Sequence, residues 1–309
     1  MLAYIVIFLV CLLITYKIYF KLTVGWCRSN VCLVGKIVLI TGGNSGIGYK
    51  TACDLTKHGA KVIIACRSRE RAEKVVKDIV EQTNNENVSY KLVDLGSLKS
   101  VREFVKEFIA SEDGLDILIN NAGMQAPSIR RMNRDGLHPV MTANYFGPFL
   151  LTNILLDLLK KSAPNRIINV VSVAAKSNLP KWLILIHSTP FTKFIVNPSF
   201  ATYYSPSHSM KNYNQVTTYT LHPGAMLTKI TRQMSLGLKL VLNFCLYWIF
   251  KTPLEGAQTT IHCAVAKNIE RYSGSLFSDC WVVDMYKKAK NPELARELWS
   301  LSDKLVKLA

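Results

Sequence analysis

"KIVLITGGNSGIGYKTACDLTKHG", Lys36 to Gly59, decides the fold. Residues 36–42 form an unbroken apolar run that ends in glycines, which reads as a buried strand. Residues 46–59 carry apolar side chains at helical spacing and close on a glycine, which reads as a helix. Between them, "TGGNSGIG" places Gly42, Gly46 and Gly48 as G-x-x-x-G-x-G. A glycine-rich turn between strand and helix lets backbone N–H groups approach a pyrophosphate where the helix dipole favours anions. Asn44, Ser45 and Ile47 lie within that turn and share the expected cofactor contact.

The alternation continues outward from this unit. Residues 61–67, 88–95, 116–123, 166–173 and 216–224 read as further strands, and 68–83, 97–111 and 141–161 as helices. Continuous apolar strands separated by helices predict an α/β fold, a doubly wound parallel sheet of Rossmann type. The chain has 309 residues and is 49% hydrophobic, which suits one such domain plus an accessory segment. The expected organisation is an N-terminal transmembrane or signal-anchor segment (1–22), a linker (23–35) and the α/β domain (36–309). A second apolar stretch, "SLGLKLVLNFCLYWIF" (235–250), is interrupted by Lys239 and Asn243. It reads either as an amphipathic helix near substrate or membrane, or as a buried core helix.

Lys and Arg outnumber Asp and Glu by 17. Such an excess suits nucleic acid, an anionic cofactor or a membrane surface. No basic–aromatic array accompanies it, so nucleic acid is not an expected partner. The eight cysteines are scattered, without C-x-x-C or metal-ligand spacing. They read as reduced thiols facing the cytosol, with no metal site. Leu2 to Tyr16 is continuously apolar, and Lys17 precedes Ile18-Tyr19-Phe20. With that lysine snorkelling, the stretch is long enough to span a bilayer. No basic residue precedes it and no small-residue cleavage site follows, so an uncleaved anchor is expected. Lys17, Lys21, Arg28 and Lys36 all follow the run, which leaves the main domain in the cytosol.

The second strand ends in "ACR". No acidic residue stands there to hold a ribose 2′-hydroxyl. Arg67, with Arg69 close by, instead suits a 2′-phosphate, so NADP(H) is the expected cofactor.

With these motifs in hand, the chain resembles the short-chain dehydrogenase/reductase family. The resemblance rests on T-G-x-x-x-G-x-G at 41–48, N-N-A-G at 120–123, "VDL" at 93–95 and "HPG" at 222–224. "VIIACRSRERAEK", "FGPFLLTNILLDLLKKSAPNRIINV" and "KTPLEGAQTTIHCAV" are more narrowly similar to the membrane-anchored retinol dehydrogenases. That resemblance implies a lipophilic alcohol or carbonyl as substrate and a membrane of the endoplasmic reticulum or a lipid droplet as location. It implies adenine-side contacts from Asp94 and Leu95, and further cofactor contacts from Asn121, Ala122 and Gly123. Pro223, Gly224 and Thr228 would belong to the loop over the nicotinamide.

The family's chemistry uses a tyrosinate as base, a serine that holds the substrate oxygen, a lysine one turn after the tyrosine, and an asparagine in a proton relay. By position the serine is Ser172 and the asparagine Asn144. The tyrosine is Tyr213, in "KNYNQVTTYTLHPG" (211–224). Here the pattern breaks. Val216 follows Gln215 directly, and both the lysine and the helix that should carry it are absent. Tyr213 then stands before the amino end of the sixth strand, whose ends lie roughly 20 Å apart. Tyr204, with His208 four residues on, is the geometric alternative, although Pro206 favours a loop there. Loss of that helix also makes a homodimer doubtful. The chain therefore reads as an active oxidoreductase, as a nucleotide- or lipid-binding member with impaired turnover, or as a mis-joined version of an active sequence.

Overall fold

The computed structural model describes residues 2–124, 132–171, 216–224, 250–285 and 287–308. One eight-stranded sheet organises them, in the order β3-β2-β1-β4-β5-β6-β7-β8. The strands are β1 (Ile37–Thr41), β2 (Lys61–Cys66), β3 (Val88–Leu92), β4 (Ile117–Asn120), β5 (Asn165–Val170), β6 (Val216–Leu221), β7 (Leu276–Ser278) and β8 (Trp281–Val283). Every neighbouring pair from β3 to β7 is parallel, and β8 runs antiparallel at the edge. This confirms the doubly wound sheet.

Side-chain alternation explains the two covered faces. Leu39, Ile63, Leu118 and Ile167 point into one apolar layer, and Val38, Ile64, Ile119 and Ile168 into the other. The first layer is closed by α4 (Leu98–Ser111), by α5 (Pro139–Met141), α6 (Gly147–Ile154) and α7 (Leu156–Lys161), and by the C-terminal helix, labelled α9 (Pro292–Val306). The second is closed by α2 (Gly46–Lys57), α3 (Arg69–Thr83) and α8 (Pro253–Val265). The expected helix over 141–161 is broken. A π-helical turn at Thr142–Phe146 joins α5 to α6, and Leu155 separates α6 from α7.

Each expected strand overruns the observed one, mostly at its carboxyl end. The reason is burial without pairing. Val93 and Leu95 stay in the core although β3 ends at Leu92. Apolar residues there line the loops at the sheet's carboxyl edge and mimic strand continuation. The caps are conventional. Thr252 and Glu255 form a reciprocal box at the start of α8, with Pro253 in its first turn. Asn291 accepts from the Glu293 and Leu294 amides at the start of α9.

The N-terminal residues Leu2–Thr23 form one continuous helix, α1. Among the described residues no helix is long and apolar enough to cross a membrane. Several side chains of α1 fall outside the described set. The apolar stretch 235–249 falls outside the described residues altogether.

Arg166 on β5 locks the second layer to the sheet. It donates to the Cys263 carbonyl at 3.1 Å and the Ala266 carbonyl at 2.7 Å, pairs with Glu270 at 2.9 Å, and lies over the Tyr219 ring. These bonds satisfy carbonyls at the end of α8 that have no helical partner. Arg166→Ala should cost about 2–3 kcal/mol of unfolding free energy. Urea denaturation followed by far-ultraviolet circular dichroism reads this as a lowered midpoint with an unchanged slope.

Candidate active site

Parallel strands bring the sequence motifs to one edge. Thr41 pairs with Ala65, Ile40 with Ile119, Asn120 with Asn169, and Val170 with Leu221. The segments that follow these strands, from Gly42, Arg67, Asn121, Val171 and His222 onward, therefore leave the sheet side by side at its carboxyl edge. In doubly wound sheets the ligand crevice lies there.

The glycine-rich turn has steric reasons for its glycines. Gly42 has φ +67°, and a side chain there would press on the Ala122 backbone. A Cβ on Gly48 would stand 2.5 Å from both Asn121 Nδ2 and the Gly42 carbonyl. The turn is thus folded against the N-N-A-G segment. A Cβ on Gly46 or Gly123 would meet nothing within 4 Å, so both border open space. Ser45 sits at the N-cap of α2 in an extended conformation but makes no side-chain capping bond. The amides at that helix start are left without a hydroxyl cap, which suits them to an anion. Ile47 is buried in the second layer and Asn44 is half-buried.

Thr41 ties the turn to β4. Its hydroxyl accepts from the Asn121 and Ala122 amides, both at 3.0 Å, and donates to the Ile119 carbonyl at 3.3 Å. Asn121 Nδ2 donates to the Thr41 carbonyl at 2.9 Å. Below it, Asn120 Nδ2 donates to Thr152 Oγ1 and Asn169 Oδ1, each at 3.0 Å. The sequence reading took Thr41 only as the opening residue of the glycine motif and missed Thr152 and Asn169. Polar residues near the ends of otherwise apolar strands are the signal that marks Thr41 and Asn169, whereas Thr152 lies within α6 and carries no such signal.

Asn144 lies in the π-helical turn. Its Oδ1 accepts from the Met124 amide at 2.8 Å, and its Nδ2 donates to the Met124 carbonyl at 2.9 Å. This two-bond latch holds Asn144 beside the segment that follows β4. The nearby His138 imidazole is pushed below its usual pKa by burial.

Arg67 is exposed, one residue beyond β2. Burial pushes the neighbouring Cys66 thiol up, so it is no nucleophile. Asp94 is exposed, and its Oδ1 accepts from the Gly96 amide at 3.0 Å. The Leu95 side chain is buried in the layer beneath. At the other end of the edge, the His222 amide donates to the Phe277 carbonyl at 3.1 Å. Pro223 is buried, and Gly224 has φ +88° with the Lys251 stem against it. Lys251 in turn pairs with Asp279. Ser172, Tyr204, His208, Tyr213 and Thr228 lie outside the described residues. The structure thus gathers Gly42 to Gly48, Arg67, Asp94, Asn121 to Gly123, Asn144, Pro223 and Gly224 at one edge. No group of three or more His, Cys, Asp or Glu able to hold a metal occurs among the described residues.

Comparison with known proteins agrees with this architecture. The model of the short chain dehydrogenase family matches residues 36–238. Retinol dehydrogenase 11 of Homo sapiens is 39% identical over 301 residues, covering 93% of this chain and 91% of its own. Retinol dehydrogenase 12 of Homo sapiens is 38% identical, covering 91% and 90%. A solved structure of an uncharacterised protein from Mycobacterium paratuberculosis superposes with a TM-score of 0.68 at 25% identity, over 92% of this chain and 98% of that one. A short chain dehydrogenase from Escherichia coli CFT073, solved with NADPH, superposes with a TM-score of 0.63 at 20% identity, over 82% and 99%. The chain belongs to the short-chain dehydrogenases, a family of oxidoreductases that use a nicotinamide cofactor, and it resembles the retinol dehydrogenase group.

The close approach of Gly48 to Asn121 gives a direct test. Gly48→Ala should force the glycine turn away from β4 and weaken dinucleotide binding at least about tenfold, a cost near 1.4 kcal/mol. Fluorescence titration of the folded variant measures this, with thermal unfolding as the check on integrity.

Proposed function

We propose that this short-chain dehydrogenase binds NADP(H) along the carboxyl edge of its sheet. Its reaction type is hydride transfer between that cofactor and a lipophilic alcohol or its carbonyl partner, of retinol and retinal type. Exposed Arg67 carries the cofactor choice. It stands free in water where a 2′-phosphate would arrive, and the residues beside it in "ACRSRE" bring a second arginine before any carboxylate. Gly42 to Gly48 would cradle the pyrophosphate, with Asp94 and the Leu95 backbone on the adenine side. Asn121 to Gly123, Pro223, Gly224 and Thr228 would flank the ribose and nicotinamide. The bound cofactor supplies or accepts the hydride. Ser172 would hold the substrate oxygen, and Asn144 would order the proton relay.

We further propose that the chain as written is a strongly impaired catalyst. The register of β6 supports this. Val216 pairs with Asn165 at the amino edge of the sheet, five strand steps of about 3.3 Å from Leu221. Tyr213 precedes Val216 by three residues, which is less than one helical turn. A crossover that returns a residue to the carboxyl edge needs a dozen or more residues. Tyr204 has the length to return, with His208 in place of the lysine. A neutral imidazole stabilises a tyrosinate poorly, and bringing a tyrosine near pH 7 takes roughly 4 kcal/mol.

We also read α1 as a membrane anchor. Its 22 residues at about 1.5 Å each give roughly 33 Å, close to the hydrocarbon thickness of a bilayer. Membranes of the endoplasmic reticulum or of lipid droplets, with the main domain in the cytosol, are the location this reading favours.

Three outcomes follow. NADPH should bind more tightly than NADH, and Arg67→Ala should weaken NADPH by about tenfold or more while leaving NADH nearly unchanged. Equal affinities for the two cofactors in the unaltered chain would refute the assignment of Arg67. Turnover of retinal should rise at least about a thousandfold when a helix led by Ser-Lys is inserted after Gln215. Loss of that gain in the inserted chain carrying Tyr213→Phe would identify the base. Removal of residues 1–22 should move the protein from the membrane pellet to the supernatant after carbonate washing.

A further inference from the structure

We propose that Trp26, Leu254, Trp281 and Val282 form the face of the catalytic domain that sits in the headgroup region of a phospholipid bilayer. The proposal rests on the reading of α1 as an anchor.

The domain does not hang from α1 on a loose tether. Lys21, in the last turn of α1, pairs with buried Glu255 in the first turn of α8. Burial disfavours the Glu255 charge, but Lys21 and the Thr252 cap together hold its carboxyl below the usual carboxylate range. Lys17 lies one turn earlier on the same side of the helix and is only 8% exposed. Val24, next on that side, is buried. The chain beyond is fastened within a few residues. The Gly25 amide donates to Asp279 Oδ1 at 3.3 Å, and a side chain on Gly25 would collide with the Asp279 backbone. The Cys27 amide donates to Gln258 Oε1 at 3.1 Å, and Ser29 Oγ to the Val265 carbonyl at 3.2 Å.

This docking sets a length problem. Leu2 to Tyr16, the part of α1 before the docked turns, spans roughly 22 Å, short of a hydrocarbon core of about 30 Å. The docked turns must enter the membrane as well. Their outer side suits this, since Tyr19 is 66% and Leu22 80% exposed. Their inner side carries Lys17, which the domain covers, and Lys21, which pairs with Glu255 but keeps 43% of its side-chain surface exposed. If those turns enter, the surface beside them enters too.

That surface is apolar. Trp26 lies between Gly25 and Cys27, the two residues fastened to the domain. Leu254 adjoins Glu255, the partner of Lys21. Trp281 and Val282 follow the Asp279–Cys280 turn that receives Gly25 and project from the two sides of the edge strand β8, so a bilayer that meets this edge reaches both. All four side chains are exposed, Trp281 to 75%. Tryptophans prefer the headgroup level of a bilayer. Exposed Arg28 close by favours anionic lipid. A second copy of the chain could also cover this edge strand, and the experiment separates it from lipid.

The full chain is reconstituted into vesicles of phosphatidylcholine with a minority of phosphatidylserine, brominated near the headgroup end of the acyl chains. Bromine quenches tryptophan only on close approach. Trp26→Phe and Trp281→Phe should each remove quenchable emission. Trp299→Phe should remove only unquenchable emission, because Trp299 packs on Phe149 at 5.0 Å against the first apolar layer. All three exchanges are conservative and leave the domain folded for comparison. A vesicle-bound chain whose quenchable emission is unchanged by Trp281→Phe would overturn the proposal. A blue-shifted, unquenched Trp281 would overturn it in favour of a second copy. A chain that does not float with the vesicles would sink the anchor reading, and this proposal with it.

Discussion

The pairing of β5 with β6 is the constraint on which the rest of the molecule depends. Six residue pairs, from Asn165 with Val216 to Val170 with Leu221, set one strand against the other along its full length. The register cannot slip by one residue without moving each side chain of β6 from one apolar layer to the other. Tyr219 and Leu221 face the second layer, where Tyr219 meets Phe277 edge-on at 5.7 Å. β6 therefore enters at the amino edge, whatever precedes it in the chain. β7, β8 and α8 build on β6, and the segment from Gly25 to Ser29 builds on α8. The same pairing delivers His222 to Gly224 to the carboxyl edge of the sheet and starts β6 at the opposite one.

Two halves of one enzyme site thus have different fates. On the reading proposed above, the half that would bind nucleotide is made of strand ends, a glycine turn and the Thr41–Asn121 clamp. Those parts come from residues 36–171, where each motif follows its strand directly. The half that moves the proton needs a helix that leads back from the carboxyl edge to the start of β6. In this chain the residues that should open that helix are joined directly to the strand that should follow it. On the reading proposed above, binding and turnover are separable properties, because only turnover would require that helix.

Much of this was legible before any coordinates. The strand–turn–helix unit at 36–59 and the later apolar runs predict the doubly wound parallel sheet, because buried parallel strands need apolar residues on both faces. Their carboxyl ends were read too long, since Val93, Leu95 and Val171 are buried as loop rather than as strand. The break at 142–146 was not visible, because a π-helical turn keeps the apolar spacing of a helix nearly intact. Nor were β7, β8, α8 and α9 placed. β7 and β8 are three residues each, too short to show alternation. The latch between Asn144 and Met124 joins residues twenty apart in sequence, and no local pattern announces it. The basic excess was read as pointing to an anionic cofactor and a membrane surface.

The central claim is that this chain binds its cofactor but hardly uses it. A single-turnover experiment tests that most directly. The protein, in excess over all-trans-retinal, is mixed with NADPH, and nicotinamide fluorescence and absorbance are followed from the first milliseconds. The account predicts a fast fluorescence change at one NADPH per chain, followed by no loss of the reduced-nicotinamide absorbance over many minutes. A loss of one equivalent of NADPH within the first seconds would contradict it and show that the broken motif still does chemistry.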